Sequence, residues 1–153
     1  MRTSQRGIDL IKKWESLSLT TYLCAAGIPT IGWGTTVYPN GKAVSLTDRA
    51  ITREEAEQFL ISDINAVETR ILRMNLFTVI PTPNEWDALV SFCYNVGVST
   101  FSKSSIRREF NKGRKDIAAK AILYYNKARV HGKLVVLKGL TDRRKEEQKL
   151  FLS

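Results

Sequence analysis

Three residues near the N-terminus have types and spacing that could do chemistry: Glu15, Cys24 nine positions later, and Thr30 six beyond that. A general acid must hold a proton near neutral pH, and a carboxyl set against apolar surface does so because desolvation disfavours the charged form. Glu15 follows Trp14 directly, at the end of an apolar helix face, and so occupies such a position. Cleaving a glycosidic bond also needs a second group across the sugar ring, to activate water or to stabilise an oxocarbenium-like transition state. Cys24 and Thr30 flank the turn expected to face Glu15 and could supply that group together. Singly, each type has an ordinary use: a helix-end Glu is solvated, a lone Cys fills a core, and a strand Thr is β-favourable.

Several elements must position these residues. Ile8, Ile11 and Glu15 fall at i, i+3 and i+7, which predicts a helix over 4–15 with the carboxylate on its apolar face. Residues 20–47 are rich in Thr, Gly, Pro and β-branched types, with turn signals at Ala26-Gly27 and Pro39-Asn40-Gly41, and predict a small antiparallel sheet. Were "PTIGWGTT" fully extended, Ile31, Trp33 and Thr35 would share one face and Thr30, Gly32 and Gly34 the other. That second face sets a hydroxyl beside two bare positions, leaving room for a bulky ligand, and makes Gly32 a candidate binding position.

Capping boxes at Thr52-x-x-Glu55 and Thr82-x-x-Glu85 open two longer helices. The first, about 30 Å long at 1.5 Å per residue, can bridge two lobes. The second has Pro83 at its first position, Gly97 as its stop and apolar residues nearly all round, which suits a central buried helix. Shorter helices are expected at about 102–111, 115–128 and 141–151, and "RVHGKLVVLKG" reads as a loop with room for a short strand. The fold class is α+β: one domain over 1–153, with a small N-terminal lobe at about 12–60 holding a β-hairpin sheet, a connecting helix, and a helical C-terminal lobe at about 61–153.

Composition narrows the function. With 43 % apolar residues in 153, the chain can bury its own core and is expected to be monomeric. Lys and Arg outnumber Asp and Glu by 24 to 15, a net charge of +9 that implies attraction to a polyanion. The cations are spread over many segments without a nucleic-acid motif, which argues against nucleic acid and for anionic envelope polymers. Cys24 and Cys93 are expected as reduced thiols, Cys93 packing among Phe92 and Tyr94. His131 is the only histidine and has no ligand-spaced neighbours, so no metal or cofactor is expected. The N-terminal residues do not read as a signal peptide, and no stretch is apolar enough for a membrane span.

Glu-x8-Cys-x5-Thr, set in "ESLSLTTYLCAAGIPTIGWGTT", resembles the catalytic signature of the phage-type lysozymes, glycoside hydrolase family 24. "ALVSFCYNVG" with "FSKSSIRREFNKG" resembles that family's central helix and the next, and "GLTDRRKEEQKLFL" resembles its C-terminal block. These blocks span nearly the whole chain in the family's order. The resemblance implies a lysozyme-like fold with Glu15 as general acid, Cys24 where most members have Asp, and Thr30 positioning the attacking water. Arg143 matches an arginine that pairs with the catalytic glutamate from the other lobe, and the adjacent Arg144 is expected at the surface. Asn95 matches a polar cleft residue, or else caps its helix; Thr35 stands where the family commonly has His, implying an altered local hydrogen bond and retained activity.

The implied activity is that of an endolysin-type muramidase, which hydrolyses with inversion the β-1,4 bond between N-acetylmuramic acid and N-acetylglucosamine in peptidoglycan. It would be made in the host cytoplasm and reach the wall through a holin-like pore. A free thiol with a pKa of about 8.5 is mostly protonated at pH 7 and a poor base. Lytic transglycosylation, or a wall-binding module with a decayed site, are therefore the alternatives.

Overall fold

The computed structural model describes residues 1–153. Helix α1 (Gln5–Glu15) lacks a cap from its own Ser4 side chain. Instead, the Ser4 amide and hydroxyl both donate to Asp87, while the Thr3 amide and hydroxyl donate to Glu68 at 2.5 and 2.7 Å. Gly7 allows this anchorage, since a Cβ there would sit 2.8 Å from the Asp87 carboxyl carbon. The helix ends where Ser16 turns to φ 56°.

Strands β1 (Ser18–Leu23) and β2 (Pro29–Gly32) then pair antiparallel, with an irregularity between Ser18 and Tyr22. The sheet expected over 20–47 is smaller than its composition suggested: beyond β2 there are only isolated bridges, Ile31 with Thr35 and Val37 with Ala43. The alternation through "PTIGWGTT" also stops early. Gly32 and Gly34 take φ of 66° and 91°, so the chain folds back and Ile31 and Thr35 exchange two 2.9 Å backbone bonds across a turn. Glycine reaches the left-handed region without steric cost, which is why a pattern that reads as a strand closes as a turn.

Both capping boxes form. Thr52 opens α2 (Arg53–Arg73), which buries Ala56, Leu60, Ile64 and Ile71 along one stripe. Thr82 opens α3 (Pro83–Val96), where every residue from Glu85 to Cys93 is buried. Helices α1, α2, α4 (Val98–Ser102) and α7 (Lys138–Phe151) all pack on α3. Around it Phe77, Trp86, Phe92, Phe101, Phe110, Tyr125 and Phe151 form edge-on and tilted ring contacts.

The helix expected over 102–111 is α5 (Ser105–Asn111), which starts three residues later because Ser104 caps it by accepting from the Arg107 amide, and the short α4 ahead of it is an addition to the expected elements. Helix α6 (Lys115–Ile122) ends well before 128. The expected loop is a complete hairpin, β3 (Lys127–Val130) and β4 (Lys133–Val136), and α7 begins at Lys138, earlier than 141. The early start is closed by the Thr141 amide donating to the Leu137 carbonyl at 2.9 Å.

Candidate active site

Glu15 is the last residue of α1, and its side chain is 18 % exposed. Its Oε1 accepts from Arg143 Nη1 at 2.5 Å, which joins the end of α1 to α7. Arg143 is itself 3 % exposed and fully used: Nε donates to Glu147 Oε1 at 3.1 Å and Nη2 to the Ser91 carbonyl at 3.1 Å. Glu147 has no exposed surface, and its Oε1 also accepts from Ser91 Oγ at 2.8 Å and Arg144 Nη2 at 3.1 Å.

Arg144, expected at the surface, is wholly buried. Helix α7 turns residues 143, 144, 147, 150 and 151 inward at helical spacing, so both arginines face α3. Its guanidinium lies 4.9 Å from the Phe92 ring centre and donates to Asn95 Oδ1 at 3.0 Å. Asn95 is exposed and holds Arg144 in place; the helix is closed by Gly97, whose amide donates to the Cys93 carbonyl. Nε of Arg144 is 2.8 Å from Glu147 Oε2 but off the hydrogen-bond axis, leaving both atoms without an aligned partner.

Burial pushes the Glu147 carboxyl above its ordinary value and Arg144 below its own. Both nevertheless carry charge at neutral pH, because a guanidinium keeps its proton and three donors converge on Glu147 Oε1.

The other wall of the site is the turn at Trp33–Thr35. A Cβ on Gly34 would lie 3.3 Å from Glu15 Oε2, so this bare position sits against the carboxylate. The turn is held from two helices: Tyr94 of α3 donates its hydroxyl to the Trp33 carbonyl at 2.7 Å, and Thr35 donates to Asp63 of α2 at 2.6 Å. Desolvation raises the Asp63 carboxyl above its ordinary range, with the Thr35 hydroxyl pulling against it. Gly32 lies elsewhere: its bare side faces Ala56 and Ile51 at 3.6 and 3.9 Å.

Cys24 is partly exposed, in a tight loop closed by its amide donating to Ile28 and by Gly27 donating back to its carbonyl. Backbone hydrogen bonds from Ile28 and then Ala26 lower the thiol from its ordinary value. Thr30 is buried, its hydroxyl donates to the Ile28 carbonyl at 2.8 Å, and it lies within hydrogen-bonding reach of the Cys24 thiol, which it helps to lower. Tyr22 links the two sides, since burial first, then the charges of Glu15 and of Cys24, all raise its phenol. Cys93 is the opposite case, a thiol that burial pushes far up.

Glu147, Ser91, Asp63, Tyr22 and Tyr94 are absent from the residues read off the sequence. Only Glu147 left a signal, as the i+4 partner of Arg143, and such a pair on a charged helix ordinarily sits in water. A cavity of about 420 Å³ beside Tyr38, Asp48, Arg49 and Phe59 shares no residue with the Glu15 set.

The family described as Phage lysozyme matches residues 12–147. An endolysin of Acyrthosiphon pisum secondary endosymbiont phage 1 is 37 % identical over 153 residues, 100 % of this chain and 99 % of that protein. An endolysin from Escherichia coli O157:H7 phage FAHEc1 matches with a TM-score of 0.89 at 40 % identity, covering 100 % of this chain and 94 % of that one. The muramidase domain of SpmX from Asticaccaulis excentricus gives 0.85 at 33 % identity, covering 99 % and 98 %.

Two predictions follow from the charges. Glu147→Gln keeps an acceptor but leaves the buried Arg144 without a carboxylate and Arg143 with Glu15 alone, and removing one partner of such a set costs about 3–5 kcal/mol. Urea unfolding measures this, and a loss below about 1 kcal/mol would mean that the network is not a buried ion pair. For Asp63, a raised folded pKa means that its stabilising contribution is full below the unfolded carboxylate pKa and is lost as pH rises through the folded one. Asp63→Asn, still accepting from Thr35, should therefore raise Tm at pH 7, by a margin that shrinks on acidification; a margin independent of pH would contradict the assignment.

Proposed function

The chain belongs to the phage lysozyme family, and from that premise we propose that it hydrolyses the β-1,4 bond between N-acetylmuramic acid and N-acetylglucosamine. It is a peptidoglycan-degrading endolysin, a cell-wall hydrolase of phage lysis. The muramidase in the name of the SpmX domain supports the choice of bond. The observation that carries the reading is the Glu15 carboxyl, oriented from the opposite side by Arg143 and lying against a bare glycine.

Arg143 occupies Oε1, which leaves Oε2, on the Gly34 side, to deliver a proton to the leaving glycosidic oxygen. Water would attack from the opposite face of the sugar. Thr30 can accept a hydrogen bond from that water, its own proton being given to Ile28. Cys24 would act as the base or as an anionic partner, in the thiolate form that the Ile28 and Ala26 amides favour. The net charge of +9 would hold the enzyme on anionic envelope polymers, more weakly as salt rises.

Release of new reducing ends from purified peptidoglycan, under reducing conditions, tests the roles. Glu15→Gln should lose roughly 10²–10⁴-fold, the range for removing a general acid. Cys24→Ala should fall towards the same floor; activity within a few fold of wild type would make the thiol a bystander. Products ending in 1,6-anhydromuramic acid in place of reducing ends would replace hydrolysis by transglycosylation. Delivery to the wall through a separate pore former belongs to the same proposal. It predicts that the chain expressed alone stays in the cytoplasm, and finding it in the periplasm would refute that part.

A further inference from the structure

The β3–β4 hairpin lies outside the chemistry described above. Its strands pair in full register, Lys127 with Val136, Ala128 with Val135, Arg129 with Leu134 and Val130 with Lys133. The loop is two residues long, His131 and Gly132, at φ of 48° and 78°; positive φ at both positions marks a type I′ turn, whose twist matches the strands. Asn126 fastens the base, its carbonyl accepting from the Leu137 amide at 2.9 Å and its side chain donating to Thr141 at 3.1 Å. Beyond that base, no helix or other strand packs broadly on the hairpin.

Directly opposed residues share a face of the ribbon. Lys127, Arg129, Leu134 and Val136 therefore form one face, and all four are exposed. On the other face Ala128 and Val135, near the base, are half-buried against the protein, while Val130 and Lys133, near the tip, are exposed. Leu134 and Val136 are 61 % and 57 % exposed, and Tyr124, just ahead of β3, is 73 % exposed. Scattered apolar residues at a surface need no explanation, but several on one projecting element mark an interaction site. A two-stranded ribbon is also marginal in water by itself, so a partner would add to its stability.

The charges identify the partner. From Tyr124 to Lys138 there is no acidic residue. Lys127, Arg129 and Lys133 form no ion pair, while Lys138 pairs with Asp142. Aliphatic side chains between unpaired cations suit a surface that is anionic outside and apolar beneath, which is an anionic lipid bilayer.

We propose that this hairpin docks the protein on anionic lipid, with Leu134 and Val136 entering the headgroup region and Lys127 and Arg129 on lipid phosphates. This goes beyond the muramidase reading and does not depend on which groups act at Glu15. The test is co-sedimentation of the full chain with vesicles of phosphatidylglycerol and phosphatidylethanolamine, with phosphatidylcholine vesicles for comparison. Wild type should bind the anionic vesicles at least tenfold more tightly. Leu134→Thr with Val136→Thr, which keeps strand-forming residues, should lose at least tenfold of that binding while peptidoglycan degradation stays within twofold. Lys127→Gln with Arg129→Gln should remove most of the salt dependence. The proposal is overturned if wild type leaves anionic vesicles unbound, if the threonine variant binds them like wild type, or if that variant keeps vesicle binding and loses peptidoglycan degradation.

Discussion

Glu147, without exposed surface, holds two buried arginines, and the geometry of the site follows from that arrangement. Charges taken out of water are stable only when paired and hydrogen-bonded, so Arg143 and Arg144 have little freedom once α7 has packed on α3. Ser91 contributes both its hydroxyl and its carbonyl, Asn95 its side-chain oxygen, and Phe92 a ring face under Arg144. What remains of Arg143 is one nitrogen pointing at Glu15. The orientation of the proposed acid is thus set by a carboxylate it never touches.

Glu15 is constrained from the other side by backbone. The Trp33–Thr35 turn approaches so closely that a Cβ on Gly34 would crowd the carboxylate at 3.3 Å, at a φ of 91° that favours glycine, and Tyr94 and Asp63 tie that turn to α3 and α2. Thr35 gives Asp63 a neutral donor, so the turn is tied to the helix while the partly buried carboxylate gains no positive partner from it. The site is therefore assembled from five segments, α1, the Trp33–Thr35 turn, α2, α3 and α7, with the central helix α3 contributing to both walls.

The two cysteines show how far placement outweighs residue type. Cys93 lies within the all-round apolar stretch of α3 and is an inert core group whose ionisation burial suppresses. Cys24 lies at a loop where backbone hydrogen bonds from Ile28 and Ala26 lower the thiol from its ordinary value and favour the thiolate.

The sequence alone determined what local patterns can encode. The capping boxes at Thr52 and Thr82, the glycine stop at Gly97, the inward carboxylate of α1 and the spacing of Glu15, Cys24 and Thr30 all depend on neighbours within a few residues. Tertiary structure decided the rest. An arginine beside an arginine on a charged helix reads as solvated until α3 is laid against it, so Arg144 and Glu147 could be recognised as buried only after packing. Likewise Gly32 and Gly34 look alike in a strand pattern, and only the fold-back of the chain sets Gly34 against Glu15 and Gly32 against Ala56. The stretch after α6 became a hairpin because His131 and Gly132 accept positive φ and Asn126 ties its ends together, a closure that helical and strand periodicity do not record. For the arginine network and the two glycines the physical reason is the same: burial, ion pairing and close approach are properties of surfaces brought together from distant segments, and no local pattern carries them.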